Sequence, residues 1–276
     1  MSAQNVDILV RALPMALFAG AVAIGATMAI ERWGGTLGGL LGTIPSTIVP
    51  ASLGLFGQSP NVEAYTEAMD LVPAGMLLNV LFLYVWRIVP PRLPSRSVAS
   101  ALALMTIVSL SFWLCGALTL VFVGQLWSQH FSPFYYGLAV TLVMFLLGIW
   151  SCRQNPPSPK GQRAVGTFTL LTRGLLAASA IALTIFIAAH GGSFVAGVVS
   201  VFPAIFLTAM VSLWLSQGRA VPAGAIGPMM LGANSISVYA LLAHFTLPML
   251  GAGPGALVAW LSSIVLISLP AWLWLR

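Results

Sequence analysis

Nine stretches of mostly apolar residues, each 18–28 residues long, follow one another with only short breaks between them. The hydrocarbon core of a bilayer is about 30 Å thick, and a helix needs about 20 apolar residues to cross it. Only 6% of the 276 residues are Asp, Glu, Lys or Arg, against about 25% in ordinary soluble domains. So few charges cannot cover a water-facing surface. The sequence therefore predicts an all-α polytopic membrane protein.

We predict nine transmembrane helices. Their ranges are 8–30, 36–56, 71–89, 98–123, 133–150, 167–189, 194–215, 220–247 and 254–275. The breaks between them contain Gly-Gly, Ser-Pro and Pro-Pro pairs, which are typical of turns. No segment has the alternating pattern of a membrane β-strand.

The basic residues predict how these helices are oriented. With nine helices, ten of the eleven Lys and Arg residues fall on one side of the membrane, and only Arg11 falls on the other. Because Lys and Arg accumulate on the cytoplasmic side, we expect an external N-terminus and a cytoplasmic C-terminus. The same residues are scattered between apolar runs, so the net charge of +6 does not indicate nucleic-acid binding.

The two halves of the chain share short motifs in the same order. These are Leu-x-Arg-x-Leu at 9–13 and 171–175, Gly-Gly at 34–35 and 191–192, a Gly and a Pro six residues apart at 39–45 and 197–203, and Val-Pro-Ala-Gly at 72–75 and 221–224. We infer a four-helix repeat (1–127), a connector helix and loop (128–165), and a second four-helix repeat (166–276). A single connecting helix inverts the second copy.

Inverted repeats are a common plan for secondary transporters, because one unit used in both orientations gives inward-open and outward-open states. The sequence therefore favours a secondary transporter or permease for a small solute. A duplicated bundle that serves as a non-transporting scaffold or assembly factor is the alternative.

The second half resembles a known family from residue 173 onward. The motifs that carry the resemblance are Ala196-Gly197, then Phe202-Pro203, and a polar turn at 217–219. They look like the small four-helix GlpM-like inner-membrane proteins. In the first half, Gly38-Gly39 replaces Ala-Gly and Ile44 replaces Phe. The resemblance implies a four-helix unit in a bacterial inner membrane and no defined activity. Together with the charge distribution, it predicts a periplasmic N-terminus.

Two groups of polar residues within the spans are candidates for contacting a solute. Mid-helix prolines free backbone carbonyls, which in a membrane need partners from protein or cavity water. Buried amides likewise need partners, and they serve either as bonds between helices or as substrate contacts. The predicted substrate-binding residues are Pro45, Ser46, Thr47, Asn79, Pro203, Thr208, Asn234 and Ser235. Close helix packing is the alternative role for the proline-containing segments.

A third group predicts a metal site on the external side. If residues 62–70 are helical with Asn61 as the cap, Glu63, Glu67 and Asp70 share one face. Carboxylate and imidazole are ligands of divalent cations. We expect Glu63, Glu67, Asp70, His190 and His244 to be the metal ligands, and a divalent metal cation is the leading substrate. A solvated acidic loop is the alternative for the carboxylates, and a satisfied core histidine is the alternative for His244.

No catalytic motif is present, so we expect neither enzymatic activity nor a cofactor. Cys115 and Cys152 each lie in or beside an apolar run and do not form a disulfide framework. Arg11 and Arg173 occupy equivalent positions in the repeat, which keeps a carrier of a small organic anion as a further alternative. The expected partners are the lipid bilayer and the small solute or metal ion. The sequence leaves the oligomeric state open.

Overall fold

The structure is a computed structural model. It describes residues 3–33, 44–93, 97–128, 130–154, 166–190, 192–203, 206–207, 210–211, 214 and 222–275. Regular structure in this part of the chain is helical throughout.

Eleven α-helices are described, and we number them in chain order. They are α1 (Ala3–Trp33), α2 (Ile48–Gln58), α3 (Val62–Ile88), α4 (Val98–Ser128), α5 (Pro133–Arg153), α6 (Thr167–Ala189), α7 (Ser193–Val199), α8 (Pro222–Gly232), α9 (Asn234–Leu250), α10 (Ala252–Ser263) and α11 (Leu269–Leu275). A 3-10 turn, Pro90–Arg92, follows α3, and a π-helical turn, Ile264–Ser268, joins α10 to α11.

Seven stretches of helix among the described residues are long and apolar enough to cross a membrane. They are α1, α3, α4, α5, α6, α8 with α9, and α10 with α11. Large apolar side chains cover the outside of the molecule, for example Leu118, Phe122, Leu142 and Leu175. A soluble monomer rarely exposes such a continuous apolar surface. The chain is therefore an all-α multi-pass membrane protein.

Seven of the nine predicted spans correspond to these stretches. The third begins earlier than predicted, because Asn61 caps α3 and its first turns carry the acidic residues. The other two predicted spans, 36–56 and 194–215, are not continuous helices over their described residues. α2 has only 11 residues and α7 only seven, whereas a helix rises about 1.5 Å per residue. Each is far too short to cross the bilayer alone.

Two helical columns form the centre of the molecule. Most residues of α3 and of the α8–α9 column are buried by other helices, whereas α1, α4, α5, α6 and α10–α11 leave most of theirs exposed. α5 packs against both columns, so the predicted connector is part of the core. α1 packs along α6, and a Cβ at Gly20 would lie 2.9 Å from the carbonyl oxygen of Gly174.

α9 and α10 form a helical hairpin. The chain reverses at Gly251, whose φ of 84° is a left-handed conformation that suits glycine. Thr246 Oγ1 donates to the carbonyl oxygen of Gly255 at 2.9 Å, which ties the two helices together beside the turn.

Candidate functional site

Pro45 lies in a non-helical segment directly before α2. Residues 44–47 are non-helical, and α2 begins at Ile48. Proline has no N–H to donate to a helical hydrogen bond. Instead, the N–H and the hydroxyl of Ser46 both donate to the carbonyl oxygen of Ile44, at 2.6 and 3.2 Å. The proline that predicted a kink therefore lies outside a helix, and we call residues 44–47 the first break.

A second break occurs at Pro203. α7 ends at Val199, residues 200–203 are non-helical, and the chain is helical again at 206–207. The Ser200 hydroxyl donates to the carbonyl oxygen of Gly197 at 2.7 Å. The N–H of Leu207 donates to the carbonyl oxygen of Pro203 at 2.8 Å. The two breaks thus occur at the two prolines that the repeat aligns with each other.

Two glycines bring α7 close to α3. A Cβ at Gly75 would lie 2.9 Å from the carbonyl oxygen of Val198, and one at Gly197 would collide with the carbonyl oxygen of Ala68. Only glycine at both positions allows this approach. The approach places the second break against the middle of α3.

Asn79 of α3 bonds directly to that break. Its Nδ2 donates to the carbonyl oxygen of Val201 at 2.7 Å, and its Oδ1 accepts from the indole Nε1 of Trp113 at 2.8 Å. The side chain is buried, so both ends of the amide need the partners they have. Of the two roles considered for this amide, bonding between helices is observed.

A cavity of about 50 Å³ lies where the two breaks meet. A cavity needs roughly 10–15 Å³ of such space to hold one water, so this one suits a few waters or a single small ion. Its polar lining comes from the two breaks and from α3. The polar side chains are those of Ser46, Thr47, Asn79 and Ser200, and the apolar ones include Met76, Ile181, Phe202, Phe206 and Ile236.

The remaining predicted substrate contacts that the structure describes do not line this cavity. Pro45 and Pro203 are buried in the breaks. Asn234 and Ser235 are completely buried at the start of α9 and do not line this cavity. Thr208 lies outside the described residues.

The carboxylates line a second space, at the N-terminal end of α3. The predicted helix is confirmed, and the side chain of Asn61 accepts from the N–H of Ala64 at 2.8 Å. We call this space the carboxylate vestibule. It has a volume of about 540 Å³ and is lined by Pro60, Asn61, Glu63, Ala64, Thr66, Glu67, Asp70, Ser132, Pro133 and His244. The helix therefore brings the three carboxylates to one face, as the spacing predicts.

The buried Asp70 pairs with the partly buried His244 at the inner end of this vestibule. His244 Nδ1 lies 2.7 Å from Asp70 Oδ1, and the carboxylate side chain is 4% exposed. The imidazole ring packs against the rings of Phe134 and Phe245. Asp70 is the only buried acidic or basic residue in the described part of the chain. A buried charge of this kind requires a partner, and His244 supplies it.

The predicted five-ligand metal site is not assembled. His190 ends α6, where its Nδ1 lies 2.8 Å from the carbonyl oxygen of Phe186, and it does not line the vestibule. Among the residues that the structure describes, no three His, Cys, Asp or Glu side chains are grouped so as to hold a metal ion. Glu63 lies two turns and Glu67 one turn before Asp70 on α3, while Asp70 and His244 bond to each other. His244 is thus not one of five grouped ligands; its bond to Asp70 agrees with the alternative of a satisfied histidine.

Two further observations bear on the predicted site. Arg11, considered as an anion contact, is exposed and pairs with Asp7 at 2.9 Å.

Trp113 was not singled out from the sequence, because an aromatic residue in an apolar helix is ordinary. The only signal was its indole N–H, a donor that usually has a partner when buried.

Comparison of the chain with protein-family models, with curated proteins and with solved structures finds no match.

Proposed function

We propose that this chain is a secondary transporter or permease of the bacterial inner membrane for a small solute. The observation that supports the proposal is the meeting of the two non-helical breaks at one polar cavity. Transporters built from inverted repeats bind their substrates between discontinuous helices, where freed backbone groups and half-helix ends face the site. Pro45 and Pro203, which the repeat aligns, lie in the two breaks.

A divalent metal cation is our leading substrate. A cavity of about 50 Å³ favours an ion over an organic molecule in this conformation. The carboxylate vestibule supplies negative charge that attracts cations toward the protein. Asp70 lies nine residues before Asn79 on α3, which is about 13 Å along a helix. In this proposal the Asp70–His244 pair receives the ion from the vestibule, and the cavity lies one step further along α3.

The proposal includes nine membrane crossings as an inverted 4+1+4 repeat, with the two broken segments as the second and seventh crossings. It places the N-terminus and the carboxylate vestibule in the periplasm and the C-terminus in the cytoplasm. A fluorescent protein fused after Arg276 is then expected to fluoresce. A periplasmic reporter inserted next to Ser128 is expected to be active. The opposite result at both positions would reverse the orientation.

Flux measurements in proteoliposomes test the function. The purified chain is reconstituted, and uptake of Mn²⁺, Co²⁺, Zn²⁺ and small organic anions is compared with that of empty vesicles. Two buried serines give a matched pair of variants, because each donates its hydroxyl to a carbonyl three residues earlier: Ser200 at 2.7 Å and Ser109 at 3.1 Å. Only Ser200 lines the cavity. We expect Ser200→Ala to change flux several-fold and Ser109→Ala to leave it unchanged.

Each other outcome points to a defined alternative. Flux of organic anions without metal flux would contradict the choice of substrate and retain transport. No flux of any solute by folded, correctly inserted protein would contradict transport and favour a scaffold or assembly factor. Equal effects of the two serine variants would place the transport path away from the cavity.

A further inference from the structure

The two halves share a longer spacing than the short motifs reveal. In each half a proline precedes an asparagine by six residues, and a third residue follows the asparagine by 34. The two sets are Pro73, Asn79 and Trp113, and Pro228, Asn234 and Ser268. This spacing aligns Pro73 with Pro228 rather than with Pro222. It makes Ser268 the counterpart of Trp113, whose indole donates to Asn79.

The fold brings Asn234 and Ser268 to the same level of one helix interface. Both lie 17 residues from Gly251, where the α9–α10 hairpin reverses. Leu231 and Ala271, which precede and follow them by one turn, belong to one packed cluster. α9 also contacts the π-helical turn that ends at Ser268. Antiparallel packing in this register places the asparagine opposite the serine.

Both side chains present a buried oxygen without a partner. Asn234 is 0% and Ser268 5% exposed. The amide Nδ2 of Asn234 donates back to the carbonyl oxygens of Met230 and Leu231, at 3.4 and 3.0 Å. Asn234 Oδ1 and Ser268 Oγ have no hydrogen-bond partner among the described residues. Buried polar atoms rarely remain unpaired, and an absent water or ion is a common explanation.

The chemistry around these two oxygens favours a cation. The amide hydrogens of Asn234 are directed at carbonyl oxygens in the last turn of α8, so its oxygen is the end left without a partner. In the first half, the corresponding oxygen receives a positively polarised N–H from Trp113. π-helical turns often occur at functional sites. Half-helix ends and carbonyl oxygens coordinate Na⁺ in transporters.

We propose that Asn234 Oδ1 and Ser268 Oγ bind a Na⁺ ion between α9 and the π-helical turn. The ion takes the place that the indole N–H of Trp113 occupies in the first half. Binding does not depend on the proposed transport function. The further role of this ion as the coupling ion does rest on that function.

Thermal unfolding of the purified, detergent-solubilised chain tests the site, with no need for a transport substrate. Far-UV circular dichroism is recorded in NaCl and in choline chloride at equal ionic strength. A ligand that binds only the folded state raises the unfolding midpoint as its concentration rises above the dissociation constant. We expect Na⁺, and not choline, to raise the midpoint. Asn234→Ala and Ser268→Ala should weaken the Na⁺ affinity about tenfold or more, as expected when a bond to a charged group is lost.

Two further variants keep the test decisive. Ser263→Ala is the matched control, because Ser263 is equally buried but donates to the carbonyl oxygen of Trp260 in its own helix. It should retain the wild-type Na⁺ response. Asn234→Asp adds a negative charge and should strengthen Na⁺ binding even if Asn234→Ala does not fold. Equal midpoints in Na⁺ and choline would mean that Asn234 Oδ1 and Ser268 Oγ do not bind Na⁺, and the proposal would be wrong. It would also be wrong if the Na⁺ response survived in both alanine variants.

Discussion

Loss of the Asn79 side chain should destabilise the centre of the molecule, because it bonds two other segments to α3. Replacing it with leucine removes two hydrogen bonds, of 2.7 Å to the carbonyl oxygen of Val201 and of 2.8 Å from Trp113. The carbonyl at the second break and the indole N–H are then buried without partners. Each unpaired buried group costs about 1–3 kcal/mol. We expect Asn79→Leu to lower the free energy of unfolding by about 2–4 kcal/mol.

A double-mutant cycle with Trp113→Phe isolates one of the two bonds. In membrane proteins, hydrogen bonds between helices average about 0.6 kcal/mol in such cycles, with a maximum of about 1.7 kcal/mol. Trp113 and Asn79 are both buried, so we expect a coupling toward the upper end of that range. The free energies come from reversible unfolding in mixed detergent micelles, followed by far-UV circular dichroism because Trp113→Phe alters the fluorescence.

Thr141→Val is the control for these measurements. The Thr141 hydroxyl is also buried, but it donates to the carbonyl oxygen of Gly137 within its own helix, so its loss leaves no other helix unpaired. We expect a change below about 1 kcal/mol. Additive effects of Asn79→Leu and Trp113→Phe would refute the coupling. A loss from Asn79→Leu no larger than that from Thr141→Val would refute the role of Asn79 at the break.

Three further variants and one control variant, Gly57→Ala, are tested in the same unfolding assay. His244→Phe leaves the buried carboxylate of Asp70 unpaired and should cost about 3–5 kcal/mol at neutral pH; wild-type stability would show that the pair is not needed. Gly148→Ala places a Cβ 2.8 Å from the Cα of Leu231 and should cost about 1–3 kcal/mol, whereas Gly57→Ala, with no atom within 4 Å, should be neutral or stabilising. Arg87→Met removes the guanidinium bonds to Ser151 near the end of α5 and should cost about 1–2 kcal/mol. Amide hydrogen exchange at the end of α5 should accelerate. Unchanged exchange there would show that Arg87 does not stabilise that helix end.

The positions of the breaks could be predicted because their cause is local, although the sequence indicated kinked helices rather than breaks. A proline disturbs the helix that contains it wherever that helix packs, so Pro45 and Pro203 identify the interrupted segments from the sequence alone. The helical face of Glu63, Glu67 and Asp70 was predictable for the same reason. It depends on the 3.6-residue period and on the cap at Asn61.

Pairings between distant residues could not be predicted in this way. Asp70 and His244 are 174 residues apart. All three histidines of the chain lie on the external side of the predicted topology, so the sequence does not show which of them contacts Asp70. The structure selects His244 because α9 packs against α3, while His190 lies at the end of α6. Trp113 is the partner of Asn79 because α4 crosses α3 at that level. Apolar helices provide no pattern that distinguishes one contact face from another, so such partners emerge only from the packing.

The Asp70–His244 pair also has a consequence for synthesis of the protein. Ribosomes add about 5–20 residues per second, and 174 residues separate the two side chains. Asp70 is therefore synthesised roughly 9–35 s before its histidine partner. During that interval the carboxylate of Asp70 has no imidazole beside it. The nascent first half must either hold α3 near the membrane surface or keep Asp70 protonated until the second half arrives, so its final assembly is completed only near the end of translation.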